Sequence, residues 1–164
     1  MCKSLESAMN SDFEAIVREN SGRILRIAKR YSGPGETEDL IQEILIELWK
    51  SKDSFRGESR IETWIYRIAL NTAMGSVRKK TAARKHIENY AGLYREESVQ
   101  VEKSEADILN EFMDALNEVD ASVLMMTLDG LSAKEIKDVI GTSEPAIAMR
   151  ISRIKQKYVE MFME

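Results

Sequence analysis

Two stretches of this 164-residue chain carry side chains able to do chemistry on a polyanion. The first, WIYRIALNTAMGSVRKK from Trp64 to Lys80, sets aromatics, Arg67 and Asn71 ahead of a knot of cations. Arg78, Lys79, Lys80, Arg84 and Lys85 fill five of eight consecutive positions. A helix C-terminus favours nearby cations by about 0.3–1 kcal/mol through its dipole, and five of them exceed what one helix end needs. Aromatics beside cations are the composition of a surface that stacks bases and holds the phosphates of a single strand. The second stretch is TSEPAIAMRISRIKQKYVEMF, where Ile147, Ile151, Ile154 and Tyr158 mark a buried stripe and Met149, Arg150, Arg153 and Lys157 are expected on the other side. Arginine there can reach base edges in a duplex groove, and lysine its phosphates.

The chain as a whole is acidic, with formal net charge -4, which on average repels nucleic acid. Its charges are segregated, however. Positions 56–85 hold eight Lys/Arg against two Glu, a net +6, and positions 132–158 hold six against three acids, a net +3. Between them, 86–131 carries two Lys/Arg against eleven Asp/Glu, a net -9. Two separate basic surfaces are therefore expected inside a negative molecule.

Other classes find little support. No nucleophile–base pair, phosphate loop or metal constellation is visible, so an enzyme is the weakest reading and neither metal nor cofactor is expected. A single cysteine, Cys2, excludes an intramolecular disulfide and reads as a plain terminal residue. A single histidine, His86, leaves no Cys/His cluster and reads as solvated beside a basic run. Apolar residues make up 43% and charged residues 32%, which suits a soluble helical protein. No apolar run is long enough to span a bilayer, and MCKSLESAMNSDFEA has no signal-peptide core, so the expected location is the cytoplasm without membrane insertion.

The elements that must position these residues read as helices. In TEDLIQEILIELW, Leu40, Ile41, Ile44, Leu45, Leu48 and Trp49 recur at three- and four-residue steps. In the opening stretch Ile61, Trp64, Ile65, Ile68 and Ala69 follow core spacing, with Tyr66, Arg67, Leu70, Asn71 and Met74 on other faces. No alternating strand pattern appears. Helix starts are expected where a serine precedes a carboxylate by three positions: Ser11 with Glu14, Ser59 with Glu62, Ser104 with Asp107 and Ser132 with Glu135. Turns are expected at SGPG, 32–35, and SFRGES, 54–59. The fold class is all-α, with two small helical domains: 1–85, an acidic linker over 86–103 whose Tyr90, Leu93, Tyr94 and Val99 are free to dock, and 104–164. In the second, a helix capped by Ser132 and ended by Gly141 precedes one capped by Ser143 with Pro145 in its first turn, the sequence image of a helix-turn-helix. The methionines, Met125, Met126, Met161 and Met163 among them, read as adaptable packing.

The order EDLIQEILIELW, SFRGESRIETWIYRIALNTA, a basic run, an acidic spacer and a terminal helix-turn-helix resembles bacterial RNA polymerase sigma factors of the sigma-70 family, extracytoplasmic-function group. These are minimal members that keep only regions 2 and 4. The resemblance covers about Phe13 to Phe162, and its motifs are more specific in region 2 than in region 4. It implies that the EDLIQE helix docks on the β′ clamp helices of core polymerase through Asp39, Gln42, Glu43 and Glu47. It implies a pocket for a flipped base of the minus-ten element lined by Phe55, Arg56, Gly57 and Glu58. Arg67, Asn71, Arg78, Lys79 and Lys80 would hold the upstream edge and backbone of that element. Ala146, Met149, Arg150, Arg153 and Lys157 would read the minus-thirty-five element as duplex. The resemblance also implies an anti-sigma partner, and an acidic connector threaded toward the RNA exit path.

Departures from the family pattern bear on promoter preference. Gly75 stands where members often carry aspartate, NEVDASVL lacks the usual proline and arginine, Lys137 replaces a small residue, and Pro145-Ala146 stands where a glycine-threonine pair is frequent. Two rivals stay open on the sequence alone. A repressor using the helix-turn-helix without polymerase needs neither the EDLIQE helix nor the SFRGES loop, and an adaptor binding an acidic protein shows no promoter dependence.

Overall fold

The computed structural model describes residues 2–85 and 104–163, with side chains over 11–83 and 104–163. The expected linker, with His86, lies outside them, as do the side chains of Cys2, Arg84 and Lys85. The described residues are all-α. The chain divides into two compact units, Met1–Ile87 and Glu88–Glu164. The first holds α1 (Cys2–Glu19), α2 (Ser21–Tyr31), α3 (Thr37–Ser51), a 3-10 turn at Lys52–Ser54 and α4 (Ile61–Lys85). The second holds α5 (Glu105–Asp114), α6 (Glu118–Leu128), α7 (Ala133–Ile140) and α8 (Glu144–Phe162). No described helix is long and apolar enough to cross a membrane.

In the first unit α2, α3 and α4 pack on one another. The core takes Ile24, Ile27, Ala28 and Tyr31 from α2, Leu40, Ile44 and Leu48 from α3, and Trp64, Ile65, Tyr66, Ala69, Leu70 and Ala73 from α4. The α3 stripe is narrower than its spacing predicts: Ile41 and Leu45 are half-buried and Trp49 is 41% exposed. Trp49 instead packs edge-on against Phe13 of α1, ring centroids 5.1 Å apart, under the Lys52 ammonium. On α4 the apolar surface is wider than expected. Tyr66 and Leu70, expected on other faces, are buried because α4 is packed by both α2 and α3, and the Arg23 guanidinium lies 5.6 Å from the centre of the Tyr66 ring.

Two of the four expected helix starts are corrected. Ser11 lies inside α1, which runs from Cys2, so its hydroxyl has no end to cap. At α4 the Arg60 carbonyl accepts the first helical bond, from the Trp64 N–H at 3.2 Å, so Ser59 falls one residue short. Ser104 with Asp107 and Ser132 with Glu135 form full capping boxes. Gly75 is the residue that packing leaves unexplained. It sits inside α4 without a positive φ, and a side chain there would meet nothing within 4 Å, yet glycine costs a helix about 1 kcal/mol relative to alanine.

In the second unit α6, α7 and α8 enclose Ala121, Val123, Met125, Met126, Ile136, Ile147 and Ile154, with Phe112 and Met113 supplied by α5. Met125 and Met126 are core residues, whereas Met161 and Met163 are exposed. Gly141 ends α7 at φ +79°, a left-handed conformation that side chains resist, and its N–H reaches the Lys137 carbonyl at 2.8 Å. Ser143 caps α8 by accepting from the Ala146 N–H at 3.3 Å, with Pro145 in the first turn. These features give the turn of a helix-turn-helix. Ile44→Ala is expected to destabilise the chain by about 2–5 kcal/mol and Ser132→Ala by about 0.5–2 kcal/mol, read as shifts in urea midpoint at unchanged slope.

Candidate nucleic-acid and polymerase interface

The sides of α3 away from its Leu40, Ile44 and Leu48 stripe carry Asp39, Gln42 and Glu43, all exposed. None of the three has an ion pair or side-chain hydrogen bond among the described residues. Glu47 differs: it is half-buried and paired with Lys50 at 2.8 Å. Three acidic or amide groups are thus available to an incoming partner, and the fourth already has a counter-charge.

The loop after the 3-10 turn presents Arg56, Gly57 and Glu58 to solvent, with Gly57 at φ +70° making the bend. Phe55 turns inward, its ring 5.4 Å from that of Trp64. It borders a cavity of about 160 Å³ whose walls also include Phe13, Ile16, Lys52, Ile61 and Trp64. Of the four residues expected to line a pocket, Phe55 alone borders this cavity. The other walls come from α1, the 3-10 turn and the start of α4, too far apart in sequence for a local pattern to signal them.

On α4, Arg67, Asn71 and Arg78 are separated by four and seven positions, which places them within one narrow face of a helix. Asn71 and Arg78 are exposed and Arg67 is half-buried. Lys79 is exposed, but Lys80 is drawn away: its ammonium bonds to the Glu36 carboxylate, which also accepts the Gly33 N–H at 3.0 Å. Lys80 therefore ties the end of α4 to the turn before α3. Between α3 and α4 lies a groove of about 550 Å³ in which Glu43 and Glu47 face Asn71 and Lys79, bringing together residues expected to serve different partners.

The outward face of α8 is also redrawn. Ala146, Met149 and Arg153 are exposed, Met149 at 58%. Arg150 is half-buried, its guanidinium 2.5 Å from the Asp120 carboxylate of α6, and the Lys157 ammonium donates to the Ala115 carbonyl beyond α5 at 2.5 Å. Both lie within a quarter-turn of the buried Ile147 and Ile154 stripe, between it and Arg153. From that border their charged ends reach inward partners, leaving Arg153 the free cation of the three among the described residues. The side of α8 opposite the buried stripe also exposes Ser152 and Gln156 beside Met149, and neither is cationic, so a search for basic residues passes them over. Tyr158, expected in the buried stripe, is partly exposed and packs edge-on against Phe112 with centroids 5.1 Å apart.

This arrangement matches known proteins. The family description Sigma-70 region 2 fits residues 16–83, from late α1 through almost all of α4. The chain is 27% identical over 158 residues to the ECF RNA polymerase sigma-E factor of Escherichia coli K12, spanning 88% of this chain and 83% of that protein. Residues 16–83 thus match sigma-70 region 2, and along most of its length the chain is similar to extracytoplasmic-function sigma factors. The Haemophilus influenzae sigma-E factor is 24% identical over 161 residues, spanning 88% of this chain and 84% of its own. Among solved structures, the sigma factor RpoE of Bartonella quintana, in complex with the anti-sigma factor NepR, shares the fold at TM-score 0.75 and 19% identity. That likeness covers 93% of this chain and 97% of that one. CnrH, in complex with the cytosolic domain of CnrY, shares it at TM-score 0.65 and 20% identity over 93% and 88% of the two chains. The two α8 arginines separate by test. Arg150→Ala is expected to lower stability by about 1 kcal/mol by removing the ion-pair partner of Asp120 and leaving it only the Asn117 amide, while Arg153→Ala leaves stability within about 0.5 kcal/mol, both read by urea denaturation.

Proposed function

We propose that this sigma factor directs promoter-specific transcription initiation by presenting two DNA elements to core RNA polymerase from separate helical units, a region 2-like unit within 1–85 and a region 4-like unit within 104–164. The observation that carries the division of roles is the α4 face on which Arg67, Asn71 and Arg78 align, inside the segment that fits Sigma-70 region 2. Asp39, Gln42 and Glu43 dock on the β′ clamp helices, with Glu47 a weaker contributor because Lys50 already holds it. The Phe55–Glu58 loop captures an unstacked base of the minus-ten element, and Arg67, Asn71, Arg78 and Lys79 hold its upstream edge. Lys80 acts by positioning α4. In the second unit Ala146, Met149 and Arg153 face the minus-thirty-five duplex, and Arg150 and Lys157 brace the helix that carries them.

The energetics fit such a division. Separating DNA strands loses about 1.4 kcal/mol of stacking per step, and binding of an exposed base returns about 1–3 kcal/mol. Capture of one or two bases, with phosphate neutralisation, tips a nearly balanced opening without catalysis by this chain. The site of action is the cytoplasm, and an anti-sigma protein, as in the Bartonella complex, keeps the factor silent.

Adding the purified chain to core polymerase with fragmented genomic DNA is expected to produce transcripts from discrete new start sites. Absence of such transcripts, together with tight duplex binding by the free chain, would identify a repressor. With a promoter in hand, Arg153→Ala is expected to relax discrimination at one or two duplex positions by about 1–3 kcal/mol.

A further inference from the structure

Gly75 lies where neither backbone geometry nor packing asks for a glycine: its φ is not positive and a side chain would meet open space. The missing side chain instead leaves the α4 wall of the interhelical groove smooth. Asn71 and Lys79 stand one turn to either side of Gly75, about 12 Å apart along the axis. Both line the groove and are exposed without an ion pair or side-chain hydrogen bond among the described residues. The opposite wall bears Glu43, which has no ion pair among the described residues, and Glu47 neutralised by Lys50; the uncompensated charge there is negative, which leaves α4 as the favourable side for phosphate. Two residues beyond Gly75 begins Val77–Lys85, with five cations and no acid. An amide at one end can read a base edge, and an ammonium at the other can hold a phosphate.

We propose that Gly75 is a close-approach site: its missing side chain lets the backbone of the separated promoter strand lie directly against α4 between Asn71 and Lys79. This deepens the sigma-factor reading and rests on it. A glycine that weakens its own helix is then kept for the strand it admits.

Gly75→Ala and Gly75→Leu test this in the full chain with core polymerase, on a promoter taken from the genomic transcription experiment. Three quantities are measured: the melting midpoint of the free chain, its affinity for core polymerase, and open-complex yield from permanganate reactivity of unpaired thymines. Gly75→Ala is expected to raise the midpoint, leave core affinity within about twofold, and cut open complex by about tenfold or more, with Gly75→Leu cutting it further. Full open-complex yield from both variants would overturn the proposal. A loss confined to core affinity would also overturn it, placing a protein helix in the groove instead. Failure of the unaltered chain to support promoter-dependent transcription would bring down the underlying reading, a result separate from the ranking of the Gly75 series.

Discussion

Burial of Tyr66, Ala69, Leu70 and Ala73 fixes the rotation of α4 about its axis, and the interface follows from that rotation. A helix held by α2 and α3 has little freedom to roll, because turning it would lift an aromatic ring and several apolar groups into water at about 25 cal/mol for each square ångström exposed. Asn71 and Arg78 then have no choice of direction. They present one edge to solvent before any ligand arrives, and that preorganisation spares the ordering cost that flexible cations would incur on binding.

The same logic explains why Lys80 and Arg150 bond internally. Each lies at the border between a buried stripe and solvent, where a carboxylate on a neighbouring turn or helix is within reach. Glu36 fixes the end of α4 to the turn before α3, and Asp120 fixes α8 to α6. These cations orient the helices that carry exposed ones. A basic segment is therefore a mixture of residues that meet a partner and residues that aim the others.

What could be read in the sequence was whatever local spacing controls. The all-α class, the Ser104, Ser132 and Ser143 caps and the Gly141 turn depend on residues within one or two turns of each other, and all are present. The sigma-factor resemblance rested on motif order, which needs no coordinates. What escaped was set by distant neighbours. Helical spacing puts Tyr66 and Leu70 outside the core because a single stripe serves one packing partner, and α4 has two. Arg150 and Lys157 were turned outward because their partners, Asp120 and the Ala115 carbonyl, lie 30 and 42 residues away. The cavity behind Phe55 was missed for a similar reason, since α1 supplies one of its walls.

The retention of Arg150 and Lys157 by their own unit has a consequence for how DNA is held. Every phosphate neutralised by a protein cation releases condensed counterions, and the release drives association and makes it sensitive to salt. On the proposed function, an α8 surface with two of its cations already engaged has fewer left to displace ions from a duplex. On that reading its grip is less salt-dependent than the cations of α8 alone imply, so an acidic protein is not held along bulk chromosome and residence at a start site is set by the enzyme that carries it.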